Sequence, residues 1–346
     1  MLVRDNDIIF LLGAGASADA GIPILSKMEE DVRDFIVKDE DWKSYYQLYH
    51  LIKASYNYSY HIQGKVAYFN LEVLLNIIQE LLKKEEHPLY PFIGSWIVKF
   101  DEVIKDKFDL IKEFDKKIRG KLAEWVKIGN NKRQQIDYFK SFSHFKDEMN
   151  FPLHIFSLNY DLCLELALAS AKVERGFDID DGGFWNFRRF LQPEENIDVF
   201  LYKLHGSVDW ERDEKTKRLT YSNGESSNPD WIFGTQYKMQ YIDPYLFLFS
   251  EFRRRIFESK MIISIGYSFN DEHINGVISD SLRDNPSRKL LSVSWDLTKD
   301  KIESRPNIDK QIIKQIFPIS VKKAKDFLES DLTKDYLNQY FENEEL

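Results

Sequence analysis

The sequence predicts an α/β fold: a Rossmann-like parallel sheet with helices on both faces and a large helical insertion. Three observations carry this. The apolar run Ile8 to Leu12 breaks into Gly13-Ala14-Gly15-Ala16-Ser17, the strand and small-residue turn with which doubly wound folds begin. Short apolar runs return late in the chain, with helix-like stretches between them, the alternation that builds parallel sheets. Between them, residues 31 to 148 show no strand-like alternation. Apolar residues there fall at helical spacing, as in Leu71, Leu74, Leu75, Ile78, Leu81 and Leu82.

Taken in order, residues 1 to 30 read as strand, loop and helix. Glycine in the turn permits backbone angles that other residues resist and leaves room for a ligand against the main chain. A helix starting just after it would aim free N–H groups and a positive dipole end at an anion. The segment is therefore a candidate phosphate cradle; the alternative is a tight strand–helix turn with no ligand. The spacing is not G-x-G-x-x-G, because the third glycine, Gly21, comes three positions late. The acids that follow (Glu29, Glu30, Asp31, Asp34) lie in a helix-like stretch rather than at a strand end. No Gly-Lys-Ser or Gly-Lys-Thr follows, so a Walker loop is excluded.

Residues 31 to 148 are expected to form an insertion of several helices, Phe92 to Phe114 being a second stretch of mixed apolar and charged residues. Leu153-His154-Ile155-Phe156-Ser157 is the next strand, with a helix from about Tyr160 to Ala171. Val199 to Leu204 is a strand. Residues 211 to 230 are polar, with Asn223-Gly224 and Asn228-Pro229, and read as loop or hairpin. A helix covers Pro244 to Ser259, a buried strand Lys260 to Ile265, and Leu290 to Val293 is the last core strand. Residues 300 to 346 read as a charged, helical C-terminal extension. The whole chain, 1 to 346, is expected to be one domain carrying its insertion.

Composition narrows the function classes. The chain has 346 residues, with 57 acids against 48 bases for a formal charge of −9. That argues against a nucleic-acid footprint for this chain alone, which needs clustered Lys and Arg. The densest basic run, Arg253-Arg254-Arg255, reads as the solvated face of a helix. The one cysteine, Cys163, excludes an internal disulfide framework and a four-cysteine zinc site; it reads as a small core residue and fits a reducing cytoplasm. Asp5 and Asp7 beside Arg4 leave no positive leader before the apolar run. No stretch approaches the ~18 apolar residues that cross a bilayer.

Four strand ends carry ligand-like residues: Gly13 to Ser17, then Ser157-Leu158-Asn159-Tyr160-Asp161, then Lys203-Leu204-His205-Gly206-Ser207, then Gly266-Tyr267-Ser268-Phe269-Asn270-Asp271. In a parallel sheet the carboxyl ends of strands share one edge, where ligands bind, so these remote segments should converge. Each has a plainer alternative. Asn159 or Asp161 suits a helix cap, as do Ser268, Asn270 and Asp271, and His205 suits a core histidine with a satisfied hydrogen bond.

The same segments carry a resemblance. Gly13-Ala14-Gly15-Ala16-Ser17 with Gly21-Ile22-Pro23 is similar to the sirtuin opening GAG-x-S-x-x-x-GIP. Ser157 to Asp161 resembles the sirtuin T-Q-N-x-D segment, Leu204-His205-Gly206 the catalytic His-Gly, and Gly266-Tyr267-Ser268 the later Gly-Thr-Ser loop. The set, including LHGSVDW and GYSFND, looks most like the bacterial sirtuin-like NADases of anti-phage defence. It departs from sirtuin deacylases in three places. The four-cysteine zinc module cannot be built, Asp-Phe-Arg after GIP is replaced by Ile24-Leu25-Ser26, and the Gln before the Asn is replaced by Leu158. These losses put protein deacylation in doubt and leave NAD⁺ cleavage.

The resemblance implies NAD⁺ as substrate, no zinc, and hydrolysis of the nicotinamide–ribose bond. Asn159 would fix a ribose hydroxyl or the attacking water, and His205 would act as general base or orient the ribose. Gly13, Ala14, Gly15 and Ser17 would receive the pyrophosphate. Asp161 would meet the nicotinamide amide or the cationic ribose, and Gly266, Tyr267 and Ser268 would line the adenosine side. An NAD⁺ hydrolase free in the cytoplasm would kill its host. Control by assembly is therefore expected, as a homo-oligomer or with a partner such as a HerA-type ATPase. A non-catalytic NAD or ADP-ribose scaffold and a nuclease component of a larger complex are the other function classes.

Overall fold

The computed structural model describes residues 6–64, 66–82, 102–103, 109–213, 215–222, 226, 228–232, 242–295, 297–305, 308–319 and 322–341. They divide into two compact units, one running to Ile22 and resuming at Val126, the other Pro23–Trp125.

The first unit holds the sheet. Its strands are β1 (Ile8–Leu12), β2 (Leu153–Ser157), β3 (Val173–Glu174), β4 (Phe177–Asp178), β5 (Phe184–Trp185) and β6 (Val199–Lys203). They continue with β7 (Gly206–Arg212), β8 (Leu219–Tyr221), β9 (Pro229–Trp231), β10 (Met261–Ile265), β11 (Lys289–Val293) and β12 (Ile316–Ile319). Seven of them form one sheet in the order β12-β11-β10-β1-β2-β6-β3, and every pairing in it is parallel. β1, β2, β6 and β10 are buried at every position, as a parallel sheet covered on both faces requires.

The α-helices whose bounds fall among the described residues, numbered in chain order, are α1 (Leu25–Lys38), α2 (Tyr46–His61), α3 (Leu71–Leu82), α4 (Asp109–Trp125), α5 (Ser141–Met149), α6 (Cys163–Ala167) and α7 (Arg188–Leu191). After them come α8 (Tyr245–Glu258), α9 (Glu272–Asp284), α10 (Lys299–Glu303), α11 (Ala324–Ser330) and α12 (Lys334–Phe341). Side chains alternate across the sheet. Ile9 and Leu11 join the cluster that contains Leu248, Phe252 and Ile256 of α8 and Ile274, Ile278 and Leu282 of α9. Phe10 points the other way, edge-on to Phe142 and Phe145 of α5 at 5.1 and 5.8 Å.

Several expectations need correction. No α-helix follows the glycine turn directly. Ala14–Ala20 is a 3₁₀ segment that ends at Gly21 in the left-handed region, and α1 starts only at Leu25, past Pro23, because the residue before a proline resists helical angles. The helix expected over Tyr160 to Ala171 is the short α6. Leu290 to Val293 is not the last strand: β12 pairs beyond it, and its Pro318 is tolerated because β12 lies at the sheet edge. A second, antiparallel sheet, β4-β5-β8-β7-β9, was not foreseen apart from the β7–β8 hairpin within 211 to 230. The proposed Asn223-Gly224 turn and residues 92–101 and 104–108 of the helical reading lie outside the described residues.

The second unit, by itself, is helical among the described residues. α1 and α4 contact α3, and α2 contacts α3 too. Leu71, Leu74, Leu75 and Ile78 are fully buried, as the spacing requires, and Tyr45 stacks on Phe114 at 4.7 Å. Asn70 starts α3 by accepting from the Val73 N–H at 3.0 Å.

Candidate functional site

The four loops follow β10, β1, β2 and β6, four consecutive strands of the sheet. Register makes their first residues level. Leu12 pairs with Ile265 and with Ser157, and Ser157 pairs with Lys203. Asn159 and His205 therefore each stand two residues past a paired position, on neighbouring strands. The chain runs outward from β1 through β2, then returns to β10 on the other side. The edge between β1 and β10 is thus the switch point where such sheets bind ligands.

The first and fourth loops meet through their backbones. Gly13 N–H donates to the Ile265 carbonyl and Gly15 N–H to the Gly266 carbonyl, both at 2.9 Å. A Cβ on Gly15 would lie 2.8 Å from Gly266 Cα, and one on Gly13 would lie 2.7 Å from the Gly266 carbonyl oxygen. Gly266 itself has φ +67, and a Cβ there would lie 2.0 Å from Ala16 N. The glycines thus have a reason besides a ligand: two main chains touch. Three N–H groups that the turn would offer an anion, those of Gly13, Gly15 and Ala16, already have carbonyl partners.

Ser17 and Asn159 come together across the first and second loops. The Asn159 amide donates to Ser17 Oγ at 3.1 Å, and both residues are buried. Tyr138 backs the turn, donating to the Ala16 carbonyl at 2.6 Å. Asp161 has the cap-like role weighed in the sequence, accepting from the Cys163 N–H at 3.0 Å. Burial, helped by the Asp161 charge, pushes the Cys163 thiol far up, so it stays protonated beside Asp161 and Ser17. Cys163 is therefore part of the wall of the site as well as core, which a lone cysteine in an apolar run does not reveal.

His205 faces Asp271, with Nε2 and Oδ2 3.3 Å apart. The other oxygen of Asp271 accepts from the N–H groups of His273 and Ile274 and so caps α9. The cap and the histidine partner are the same carboxylate. His205 also lies beside Tyr160, ring centroids 6.5 Å apart. Gly206 turns the chain away into β7, with φ +89 and no room for a Cβ against the Asp230 carbonyl.

The remaining residues divide. Tyr267 is buried, its hydroxyl donating to the Asn275 side chain at 2.8 Å, so its ring supports α9. Ser268 is exposed and accepts from the Asn270 amide. Behind Asp161 lies a charged chain that sequence reasoning missed. The buried Lys203 ammonium donates to the Asp161 carbonyl and sits 3.2 Å from Glu165, Glu165 is 3.6 Å from Arg175, and Arg175 pairs with Asp209 at 2.8 Å. Lys203 and Asp209 flank the LHGSVDW segment's histidine, and alternation along β6 and β7 gave no sign that they turn inward to a shared network.

Among the described residues no group of three or more His, Cys, Asp or Glu side chains forms a metal site, and no helix is long and apolar enough to cross a membrane. Residues 153–314 match the family model of the SIR2-like domain. None of the curated proteins compared with the chain matches it. The chain is similar to solved structures of Sir2 proteins. One is a Sir2 homologue mutant with 2′-O-acetyl ADP-ribose: 12% identity, TM-score 0.43, covering 98% of this chain and 93% of that one. Another is a Sir2 homologue–NAD complex: 11% identity, TM-score 0.44, covering 97% and 90%. A third, Sir2Tm bound to a propionylated peptide, has 10% identity and TM-score 0.41, covering 96% and 92%.

Proposed function

We propose that this chain hydrolyses NAD⁺ at the nicotinamide–ribose bond, giving nicotinamide, ADP-ribose and a proton. The observation that carries the reading is the convergence of Ser17–Asn159 and His205–Asp271 at the carboxyl ends of consecutive parallel strands. The SIR2-like match over 153–314, which spans the second, third and fourth loops, supports it.

The chemistry follows from charge. As the C–N bond breaks, nicotinamide leaves neutral and positive charge develops on the ribose. Water then attacks the anomeric carbon and loses a proton. His205 takes that proton, and Asp271 fixes its ring and stabilises the imidazolium. Asn159, held by Ser17, orients the ribose or the water. Asp161 adds negative potential close by, and the Gly13–Ser17 turn with Gly266 and Ser268 lines the diphosphate and adenosine side. Ala14 and Gly15 are the partly exposed points of the turn.

We further infer that the activity depletes NAD⁺ in anti-phage defence and is gated by assembly, as a homo-oligomer or with a HerA-type ATPase. The test is nicotinamide release, followed by chromatography, with and without such a partner. His205→Ala and Asn159→Ala should each abolish release while circular dichroism stays unchanged. His205→Ala protein that hydrolyses NAD⁺ at the parental rate would sink the assignment. NAD⁺ binding without release in every assembly state would make the chain a scaffold.

A further inference from the structure

The helical unit contains a cleft of about 320 Å³ lined by Arg33 of α1 and by Tyr49, His50, Lys53, Ala54 and Asn57 of α2. The lining follows from helix geometry, since Tyr49, Lys53 and Asn57 recur every four residues along one face. Glu29, one turn before Arg33, is 4% exposed. Its carboxylate accepts from the Tyr49 hydroxyl and from Lys53 Nζ, the latter at 2.8 Å. That pair cancels one negative charge against one positive.

Two groups in the cleft are left over. Among the described residues the carboxylate nearest Arg33 is that of Asp34, at 3.9 Å, and Asp34 is held by Lys38 at 2.6 Å. The Nε2 atom of His50 is buried without a hydrogen-bond partner among the described residues. Its ring lies 4.3 Å from the Tyr46 ring and 5.1 Å from the Tyr49 ring. A buried polar atom without a partner is costly, and surplus positive charge is unusual in a chain of net charge −9.

We propose that this cleft binds a phosphate group, either inorganic phosphate or a small phosphomonoester. A terminal phosphate offers three acceptor oxygens to three separate donors: the Arg33 fork, the Lys53 ammonium and His50 Nε2. A carboxylate offers only two. Small-ligand clefts begin at roughly 300 Å³, so the volume suits a monoester and not a dinucleotide. The site rests on the helical unit alone and stands or falls separately from the hydrolase reading.

The experiment is calorimetric titration of the full chain with inorganic phosphate, ribose 5-phosphate and AMP in turn. Saturable binding is expected in at least one arm. Equal affinity in all three assigns the site to phosphate itself, and tighter ester binding shows that the organic part is also seated. Arg33→Gln is on an exposed position and His50→Phe keeps a ring between Tyr46 and Tyr49, so both should fold. Each should weaken binding by about tenfold or more, roughly one lost charge-assisted hydrogen bond. No saturable heat in any arm, or binding that persists at parental affinity in both folded variants, overturns the proposal.

Discussion

Asp271 allows the site's chemistry to be separated from its stability. Its Oδ1 caps α9 at 3.0 Å from His273 N, and its Oδ2 lies 3.3 Å from His205 Nε2. Asp271→Asn keeps a good cap, because Asn and Asp are near-equivalent there, but removes the charge. A unit charge pair at that separation is worth about 5 kcal/mol at an effective dielectric near 20. Much of this is offset by keeping the carboxylate away from water. If ~1.4–2.8 kcal/mol remains to stabilise the imidazolium, kcat/KM for nicotinamide release should fall by about ten- to a hundredfold. Thermal unfolding should change by less than ~0.5 kcal/mol, whereas Asp271→Ala should also lose ~1 kcal/mol of cap. Parental kcat/KM in a folded Asp271→Asn protein would refute the reasoning.

Two further predictions concern the fold. Gly266→Ala places a methyl against Ala16 N at a positive φ; urea unfolding should show a loss of more than ~2 kcal/mol, and an unchanged midpoint would refute the backbone-contact account. His154 is buried in β2, and desolvation, followed by the charges of Arg255 and Arg254, holds its imidazole well below the ordinary 6.5. The unfolded chain therefore binds a proton that the folded chain refuses, so stability falls as pH drops below ~6.5, by about 1.4 kcal/mol per unit until the folded group titrates. His154→Gln should flatten this slope between pH 6.5 and 5, whatever it does to stability at neutral pH. An equal slope in the variant would place the acid sensitivity elsewhere.

The sheet was legible where strands are long and wholly apolar. Ile8 to Leu12 and Lys260 to Ile265 announce themselves because both faces are covered, so no polar alternation interrupts them. β4 and β5, two residues each, carry no period, and β12 hides behind Pro318. For the site, the loops were legible because polar residues follow apolar runs abruptly. What they do to one another was not. Asp271 reads in the sequence as a cap, and only the fold brings its second oxygen to His205. The glycines of the first loop suggested a phosphate cradle; the contact with Gly266 gives them another reason, since sequence cannot tell which backbone comes close. Arg175 lies remote from every recognisable segment, and its pairing with Asp209 depends on how β7 leaves the sheet.

The placement of β1 bears on how a copy of this protein is made. The strand leaves the ribosome well before its neighbours on either hand, β2 and β10. Until translation passes Ile265, its hydrogen-bonding edge toward β10 stays unmatched and the Gly13–Gly266 seam cannot close. Contacts this distant in sequence slow folding and prolong exposure of sticky edges. A polypeptide that stops short of β10 therefore keeps that edge of β1 open and never closes the seam.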